Sequence, residues 1–268
     1  MQFRFFNPSA ALAPYIRQYW TLEMDAVEAR SNPHRVVPNG FVELTFQFGD
    51  DLKTIGKKEG NSSAVQLCGQ KNGFYDLLPS GKVQMLSVVF RPQGAAAFFD
   101  FPLNELANQS IALELIHGRE ACELLQRMGE QNTFEEKVAL LEGFFIGKIN
   151  LKKSYELMRI DHTVSLISRC GGQTTTESLA QSACLSRKQF ERSFGSFVGL
   201  SPKQFQRVVR FQHAIFCRQK NPHISLTGLA YQSGYYDQAH LIREFKSLSG
   251  LTPKEFFADC PPHSDYFG

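Results

Sequence analysis

An α+β chain with two unlike halves is predicted by three observations. Short β-branched and aromatic runs, set between Pro, Gly, Asn and Asp breakers, fill the front of the chain. From Pro92 the apolar rhythm turns helical. Between Thr174 and Thr252 one helix-turn-helix pattern occurs twice, joined by a single amphipathic helix. The boundaries that follow are an antiparallel sheet or barrel-like domain with helices over 1–150, a linker over 151–160, and an all-helical domain of two helix-turn-helix subdomains over 161–260.

In the first half, Tyr15 to Met24, Val36 to Val37, Phe41 to Phe48, Val65 to Leu67, Gly73 to Leu77 and Val83 to Phe90 read as strands. Asn39-Gly40 and Gly49-Asp50 mark tight turns. Gly94 to Phe99 reads as a short helix, and Leu113 to Met128 and Phe134 to Ile149 as long amphipathic ones. The polar, basic stretch from Asn150 to Ile160 reads as the hinge.

In the second half, Thr176 is placed to cap a short helix carrying Leu179, Ala180 and Ala183. Cys184 and Leu185 make the turn, and Ser186 caps a second helix with Phe190, Phe194 and Phe197 at helical spacing. The repeat uses Leu226, Leu229 and Ala230, then Gly234 for the turn, Asp237 as cap, and Leu241, Phe245 and Leu248 inside. Each copy ends on a helix stop and restart, Gly199-Leu200-Ser201-Pro202 and Gly250-Leu251-Thr252-Pro253. Between them a helix from Ser201 to about Arg218 carries Phe205, Val208, Val209, Ile215 and Phe216 on one face. At 1.5 Å per residue that rod is roughly 25 Å long. It can hold two second helices near the roughly 34 Å spacing of successive major-groove turns on one side of B-DNA.

These residues, from about Asp161 to Ala258, resemble the DNA-binding domain of the AraC/XylS family of bacterial transcription regulators. The likeness rests on Leu179-Ala180, the helix from Ser186 to Phe194, Arg210 with Ala214, Gly234-Tyr235, Asp237-Gln238 through Phe245-Lys246, and the two Gly-Leu-Ser/Thr-Pro ends. It implies two helix-turn-helix subdomains bridged by a helix, a first helix over Asp161 to Cys170, and double-stranded DNA and RNA polymerase as partners. It also implies that the outward residues of each second helix enter the major groove: Arg187, Lys188, Glu191 and Arg192 in the first copy, and Gln238, Ala239, His240, Arg243 and Lys246 in the second. The chemistry suits this, because Arg bonds guanine bidentately, Gln bonds adenine, and Ala touches the thymine methyl. Glu191 is expected either to accept from cytosine N4 or to pair with Lys188 or Arg187 and read nothing. Lys188, Lys246 and Arg210 fit phosphate contacts, internal salt bridges or ordinary solvated charges. Charge agrees modestly: residues 161–268 hold twelve Lys and Arg against eight Asp and Glu, leaving 17 against 18 for residues 1–160.

The front half is similar to the sensing domains, many of them cupin-like barrels, that are fused to AraC-type domains. The likeness is carried by Arg17-Gln18-Tyr19-Trp20, Pro38-Asn39-Gly40 with Glu43-Leu44, Phe48-Gly49-Asp50 and Val89-Phe90-Arg91-Pro92. A small organic effector is expected inside the barrel against Tyr19, Trp20 and Phe46, with Glu43 or Arg91 as polar anchor; the plain alternatives make Glu43 and Arg91 a buried ion pair that fixes the fold, or groups that face solvent. The seven histidines form no HxH or HxxxH pair, so no metal and no cofactor is expected. No GxSxG elbow, phosphate-cradling glycine loop or Pro-Cys methyl-acceptor pattern occurs, so no catalytic residues are assigned. A DNA-addressed enzyme using Cys68 and a ligand-free protein-binding module remain the alternatives. A homodimer is also expected as an option, with Leu115, Cys122, Leu125 and Met128 forming either its face or ordinary core. No apolar run approaches a membrane span and no signal peptide is seen, so a cytoplasmic location is expected. The six cysteines lack a CxxC pair and read as core or bystander thiols.

Overall fold

A computed structural model describes residues 2–29, 33–55, 63–259 and 266–267. Among them nine strands form: β1 (Gln2–Phe6), β2 (Ile16–Met24), β3 (His34–Val36), β4 (Glu43–Gln47), β5 (Leu52–Thr54), β6 (Val65–Cys68), β7 (Tyr75–Pro79), β8 (Val83–Phe90) and β9 (Ser110–Ala112). Six of them make one antiparallel sheet in the order β1-β2-β8-β4-β6-β9, and β3-β7-β5 make a second. Period-two alternation gives the larger sheet two unlike faces. Leu44, Phe46, Leu67, Leu86, Val88 and Phe90 point one way into a core closed by helices. Glu43, Thr45, Gln66 and Ser87 lie on the other face by the same register. A bulge between Ile16 and Gln18 shifts the parity of β2, which is why Ile16 and Tyr19, three apart, are both fully buried.

The helices are α1 (Ala26–Ala29), α2 (Glu114–His117), α3 (Arg119–Gly129), α4 (Phe134–Ile146), α5 (Ser154–Arg169), α6 (Thr176–Ser182), α7 (Arg187–Val198), α8 (Pro202–Lys220), α9 (Leu226–Gln232), α10 (Gln238–Ser249) and α11 (Pro253–Asp259). Helix α4 starts where Thr133 and Glu136 form a reciprocal capping box. Ala121, Leu124, Met128, Phe134, Val138, Leu141 and Phe145 of α3 and α4 then cover the apolar face of the sheet. Lys137 is buried between them, its Nζ donating to the carbonyls of Met128 and Gln131 at 2.5 and 2.6 Å. It sits at the C-terminal end of α3, where a cation is favoured.

Several expectations need correction. The helix expected over Leu113 to Met128 is broken at Gly118, whose φ of 51° no continuous helix accepts. Leu115 and Cys122 are exposed while Met128 is fully buried and Leu125 lies against the core, so the four do not form one face. The residues read as a hinge are mostly helical: a 3-10 turn at Leu151–Lys153 runs into α5, which begins seven residues before the expected Asp161. Strands β1, β5 and β9 went unrecognised, the last two because three residues carry no periodicity. Of the cysteines read as core or bystander thiols, Cys217 is buried, Cys68 half-buried, and Cys122, Cys170 and Cys184 are exposed; Cys260 lies outside the described residues.

The two halves pack on each other. Asn150 and Lys153 fasten the start of α5 to the sheet domain, Lys153 donating to the carbonyls of Ala96 and Phe99 at 3.1 and 2.7 Å. Gln93 donates to Asp161 at 2.6 Å, and buried Gln212 of α8 to the carbonyl of Pro38 at 2.8 Å. Arg35 binds both carboxylate oxygens of Asp76 at 2.8 Å, lies over the Phe74 ring, and reaches the carbonyl of Ser249 at 3.3 Å. That guanidinium holds the Asp76 carboxyl below its ordinary range.

Tyr266 lies in the same joint. Its ring stacks on Phe41 and meets Phe205 edge-on, its carbonyl accepts from Arg17 at 3.1 Å, and its hydroxyl bonds Ser168 at 2.6 Å. Burial pushes its phenol up to about 12. A folded-state value above the ordinary phenol of about 10 means that docking is undiminished below about pH 10 and weakens as pH climbs towards 12. Trp20, the one tryptophan, packs against the same cluster and reports the change. We expect an alkaline shift in Trp20 emission whose component between about pH 10 and 12 is absent in Tyr266→Phe. Identical titrations of the two proteins would refute the linkage.

Candidate nucleic-acid interface

The interface begins with two turns that sequence alone placed well. In the first copy, Thr175 caps α6 by accepting from the amide of Ser178 at 3.1 Å, one residue earlier than expected. Cys184 takes a left-handed φ of 53°, and Ser186 opens α7 with a capping box to Gln189. In the second copy Ser225 caps α9, Gly234 takes φ 74°, and Asp237 caps α10 by accepting from the amide of His240 at 2.6 Å. A Cβ at 234 would in addition fall 2.1 Å from the Gln173 side chain, which would have to move aside. Both second helices stop at left-handed glycines, Gly199 and Gly250.

Helix α8 then sets the two units in space. Its front half, with Phe205, Val208 and Val209, belongs to the core of the first subdomain together with Phe190, Phe194 and Leu179. Its back half, with Phe211, Ala214, Ile215 and Cys217, belongs to the core of the second with Leu229, Leu241 and Phe245. Arg207 of α8 grips Glu244 of α10 through two parallel bonds of 2.9 and 3.0 Å, and adds a third to Ser247 at 3.3 Å. That bidentate geometry fixes the roll of α10 on the rod, and the carboxylate raises the guanidinium's proton affinity further. Arg210, a candidate phosphate contact by sequence, is instead internal: it donates to the carbonyl of Gly172 at 2.9 Å and lies over the ring of buried Tyr235.

The nine residues expected to face DNA lie on the outward sides of α7 and α10, and their partners divide them. Arg187 is tied to Glu191 at 2.9 Å and to Glu177, so Glu191 takes the intramolecular pairing that was its alternative to base reading. Lys188 and Arg192 are exposed and have no partner among the described residues. On α10, Gln238 accepts from Thr227 at 3.0 Å. His240 is held by the Tyr236 amide, which donates to its Nδ1 at 3.3 Å, and by the Tyr235 ring. Ala239 and Arg243 are exposed, and Arg243 has no partner among the described residues; Lys246 is exposed in the field of Glu255. Sequence reading missed Tyr236, 86% exposed immediately before the α10 cap. The available signal was the Tyr-Tyr pair after Gly234, of which only the first can be buried.

The sheet domain reaches the first of these helices. The 3-10 turn at Leu103–Leu106 faces α7 across an open groove of about 710 Å³, with Pro102, Glu105 and Ala107 on one bank and Glu191, Arg192 and Phe197 on the other. Phe197, read from sequence as core of its own subdomain, also packs against the sheet-domain core.

The five residues expected to hold an effector do not share a cavity. Tyr19 and Phe46 are fully buried on the helix-covered face, and the Tyr19 hydroxyl donates to Glu142 at 3.3 Å. Trp20 and Glu43 lie on the opposite face, because neighbouring strand residues alternate. Glu43 accepts from Asn39 at 2.8 Å and from Ser87 at 3.0 Å. Arg91 is exposed, with Nε on the carbonyl of Ala13 at 2.7 Å. Among the described residues no group of three or more His, Cys, Asp or Glu side chains is placed to hold a metal ion. No helix among them is long and apolar enough to cross a membrane.

Comparisons with known proteins agree with this division. Residues 179–259 match a family described as a helix-turn-helix domain, and residues 4–112 match a domain of unknown function, DUF6597. An uncharacterised HTH-type transcriptional regulator of Haemophilus influenzae is 35% identical over 80 residues, 30% of this chain and 26% of that protein. The HTH-type transcriptional regulator MtrA of Neisseria gonorrhoeae is 27% identical over 105 residues, 39% of this chain and 35% of that one. The chain thus spans about a quarter to a third of the length of these relatives. Among solved structures, fatty-acid-bound ToxT of Vibrio cholerae covers 98% of this chain and 97% of its own at 13% identity and a TM-score of 0.49. The DNA-binding domain of AdpA, solved with a target DNA, covers 37% of this chain and 90% of its own at 24% identity and a TM-score of 0.34.

The Arg207–Glu244 pair generates a test. It is neither fully buried, where losing one partner costs about 3–5 kcal/mol, nor a surface pair worth less than about 1 kcal/mol. We expect Arg207→Met or Glu244→Gln each to cost about 2 kcal/mol in urea unfolding, with the double variant little worse than either single one. Additive losses would mean that the two side chains act separately. With both second helices set on one rod and residues 179–259 matching the helix-turn-helix family, the C-terminal part of this chain is a helix-turn-helix domain of two units, carried behind an N-terminal DUF6597 domain.

Proposed function

We propose that this protein is a sequence-specific regulator of transcription that reads two successive major-groove segments of duplex DNA with α7 and α10. The single observation that carries the reading is the outward pair of arginines, Arg192 and Arg243, one on each second helix and neither engaged among the described residues. Free arginines on a rigid helix face are the side chains best suited to bidentate guanine contacts. Arg187 and Glu191, neutralising each other, act as a brace for α7, while Gln238 and Ala239 stand beside Arg243 for adenine and thymine contacts. His240 positions the α10 cap, and Lys188 and Lys246 supply phosphate contacts. The site of action is the cytoplasm, and RNA polymerase is the downstream partner.

The N-terminal domain is the controlling half. The sheet face bearing Trp20, Glu43, Thr45 and Ser87 sets polar groups into otherwise apolar strands, which favours it over the filled core as the place for a small organic effector. An effector changes DNA binding only by its difference in affinity between two states of the protein. At a hundred times its dissociation constant it stabilises by about 2.7 kcal/mol. A metabolite panel that leaves the melting temperature unmoved counts against effector control.

For DNA reading, genome-wide binding of the tagged chain supplies sites, and the purified protein is compared with Arg192→Ala and Arg243→Ala at fixed salt. Each substitution is expected to weaken the best site by about 1–3 kcal/mol and to relax one half-site about 10 base pairs from the other. Lys188→Ala is expected instead to weaken all sequences alike and to lower the salt slope by about 0.9. Binding that is diffuse and indifferent to both arginines would sink the site-specific reading.

A further inference from the structure

We propose that the sheet-domain loop Gly69–Phe74 positions both second helices for DNA, with Gln70 as its stop against α7 and Phe74 as its stop against α10; this rests on the DNA reading proposed above. The loop crosses from β6 of the larger sheet to β7 of the smaller one. At its start Gln70 is fully buried, and a Cβ built on Gly199 would lie 3.7 Å from the Gln70 Cγ and 3.4 Å from the carbonyl oxygen of Leu103. At its end the Phe74 ring lies so close to Gly250 that a Cβ there would fall 2.6 Å from it, and a Cβ on Gly73 would lie 4.0 Å from the carbonyl oxygen of Ser247. Gly199 and Gly250 are the left-handed stops of α7 and α10. One short loop therefore meets both second helices at the same point of each.

A contact of this kind positions a helix only if the loop is stiff, and its hydrogen bonds make it so. The Gly69 amide donates to the carbonyl of Gln109 at 3.0 Å, the Asn108 amide to the carbonyl of Gln70 at 2.9 Å, and the Asn72 amide to the Asn108 side chain at 3.0 Å. Lys71 adds a bond to the Gln109 carbonyl at 2.9 Å. At the far end Arg35 covers the Phe74 ring at 4.5 Å while donating to the carbonyl of Ser249. The side-chain amide of Gln70 has no hydrogen-bond partner among the described residues, a cost that an apolar side chain in its place would avoid. Helix α8 joins the two units through their cores. The loop adds a support at the C-terminal end of each second helix, so tilting either one relative to the other must move the loop. Without it, their separation is left to α8 alone.

The test measures binding of the full chain to duplexes carrying its strongest site, with the half-sites about 10 base pairs apart and with about one base pair removed or added between them. Wild type is expected to prefer the unaltered spacing. Phe74→Ala, with circular dichroism like wild type, is expected to keep the base preference of each half-site and to lose at least about threefold of the spacing preference, within the range found for residues that couple separate sites. Gln70→Ala is expected to do the same from the α7 end. Phe74→Leu, which keeps bulk against Gly250, is expected to restore most of the preference. Arg243→Ala is expected to behave in the opposite way, losing base preference and keeping spacing preference. If Phe74→Ala weakens every duplex by one common factor, the residue only packs and the proposal is overturned. A wild type that reads bases but is blind to spacing overturns it as well. A wild type blind to bases and spacing alike overturns the DNA reading itself, and the role of the loop with it.

Discussion

Everything in the C-terminal half depends on one helix being buried at both ends in different cores. Helix α8 gives Phe205, Val208 and Val209 to the first subdomain and Phe211, Ala214 and Ile215 to the second. A helix is stiff over 19 residues, so neither core can rearrange without moving the other. Arg207 on Glu244 and Arg210 on Gly172 remove the remaining freedom of roll. The distance and orientation between α7 and α10 are thus properties of packing rather than of either helix-turn-helix unit.

The joint between the halves follows different chemistry. Each subdomain core borrows a few apolar side chains from the sheet domain: Phe41 and Val89 in the first, Val37 in the second. Around them the contacts are polar, with Gln93, Gln212, Lys153 and Arg35 donating to backbone or carboxylate acceptors across the boundary. Groups that bond well to water lose little when such an interface parts, whereas the phenylalanine cores would lose a great deal. The same chain therefore holds its two helix-turn-helix units rigidly and its sheet domain against them by contacts of a more exchangeable kind. The groove beside Arg192 places Glu105 of the sheet domain within the surroundings of the first reading helix.

Legibility tracked how local the determining physics was. Ser186, Asp237, Gly199 and Gly250 announced helix ends because caps and left-handed stops are decided within four residues. Cys184 was read correctly as a turn although a non-glycine residue pays for its left-handed φ there. The helical content of the stretch read as a hinge from Asn150 to Ile160 was missed because polar residues on the exposed side of α5 mask buried Leu157 and Ile160. The effector residues were misgrouped for a related reason: aromatic content was visible in the strands, but which face each side chain takes depends on the Ile16 to Gln18 bulge and on which sheet face the helices cover.

The sequence by itself determined the α+β division, the duplicated helix-turn-helix units, their capped ends and the set of side chains facing outward, since spacing and capping are properties of a few consecutive residues. Tertiary structure alone decided which of those side chains are engaged. Arg187 with Glu177, Arg207 with Glu244 and Arg210 with Gly172 join residues on different elements, and no local periodicity encodes a partner 10 to 38 positions away. Charged groups are free or spent according to what folding brings beside them.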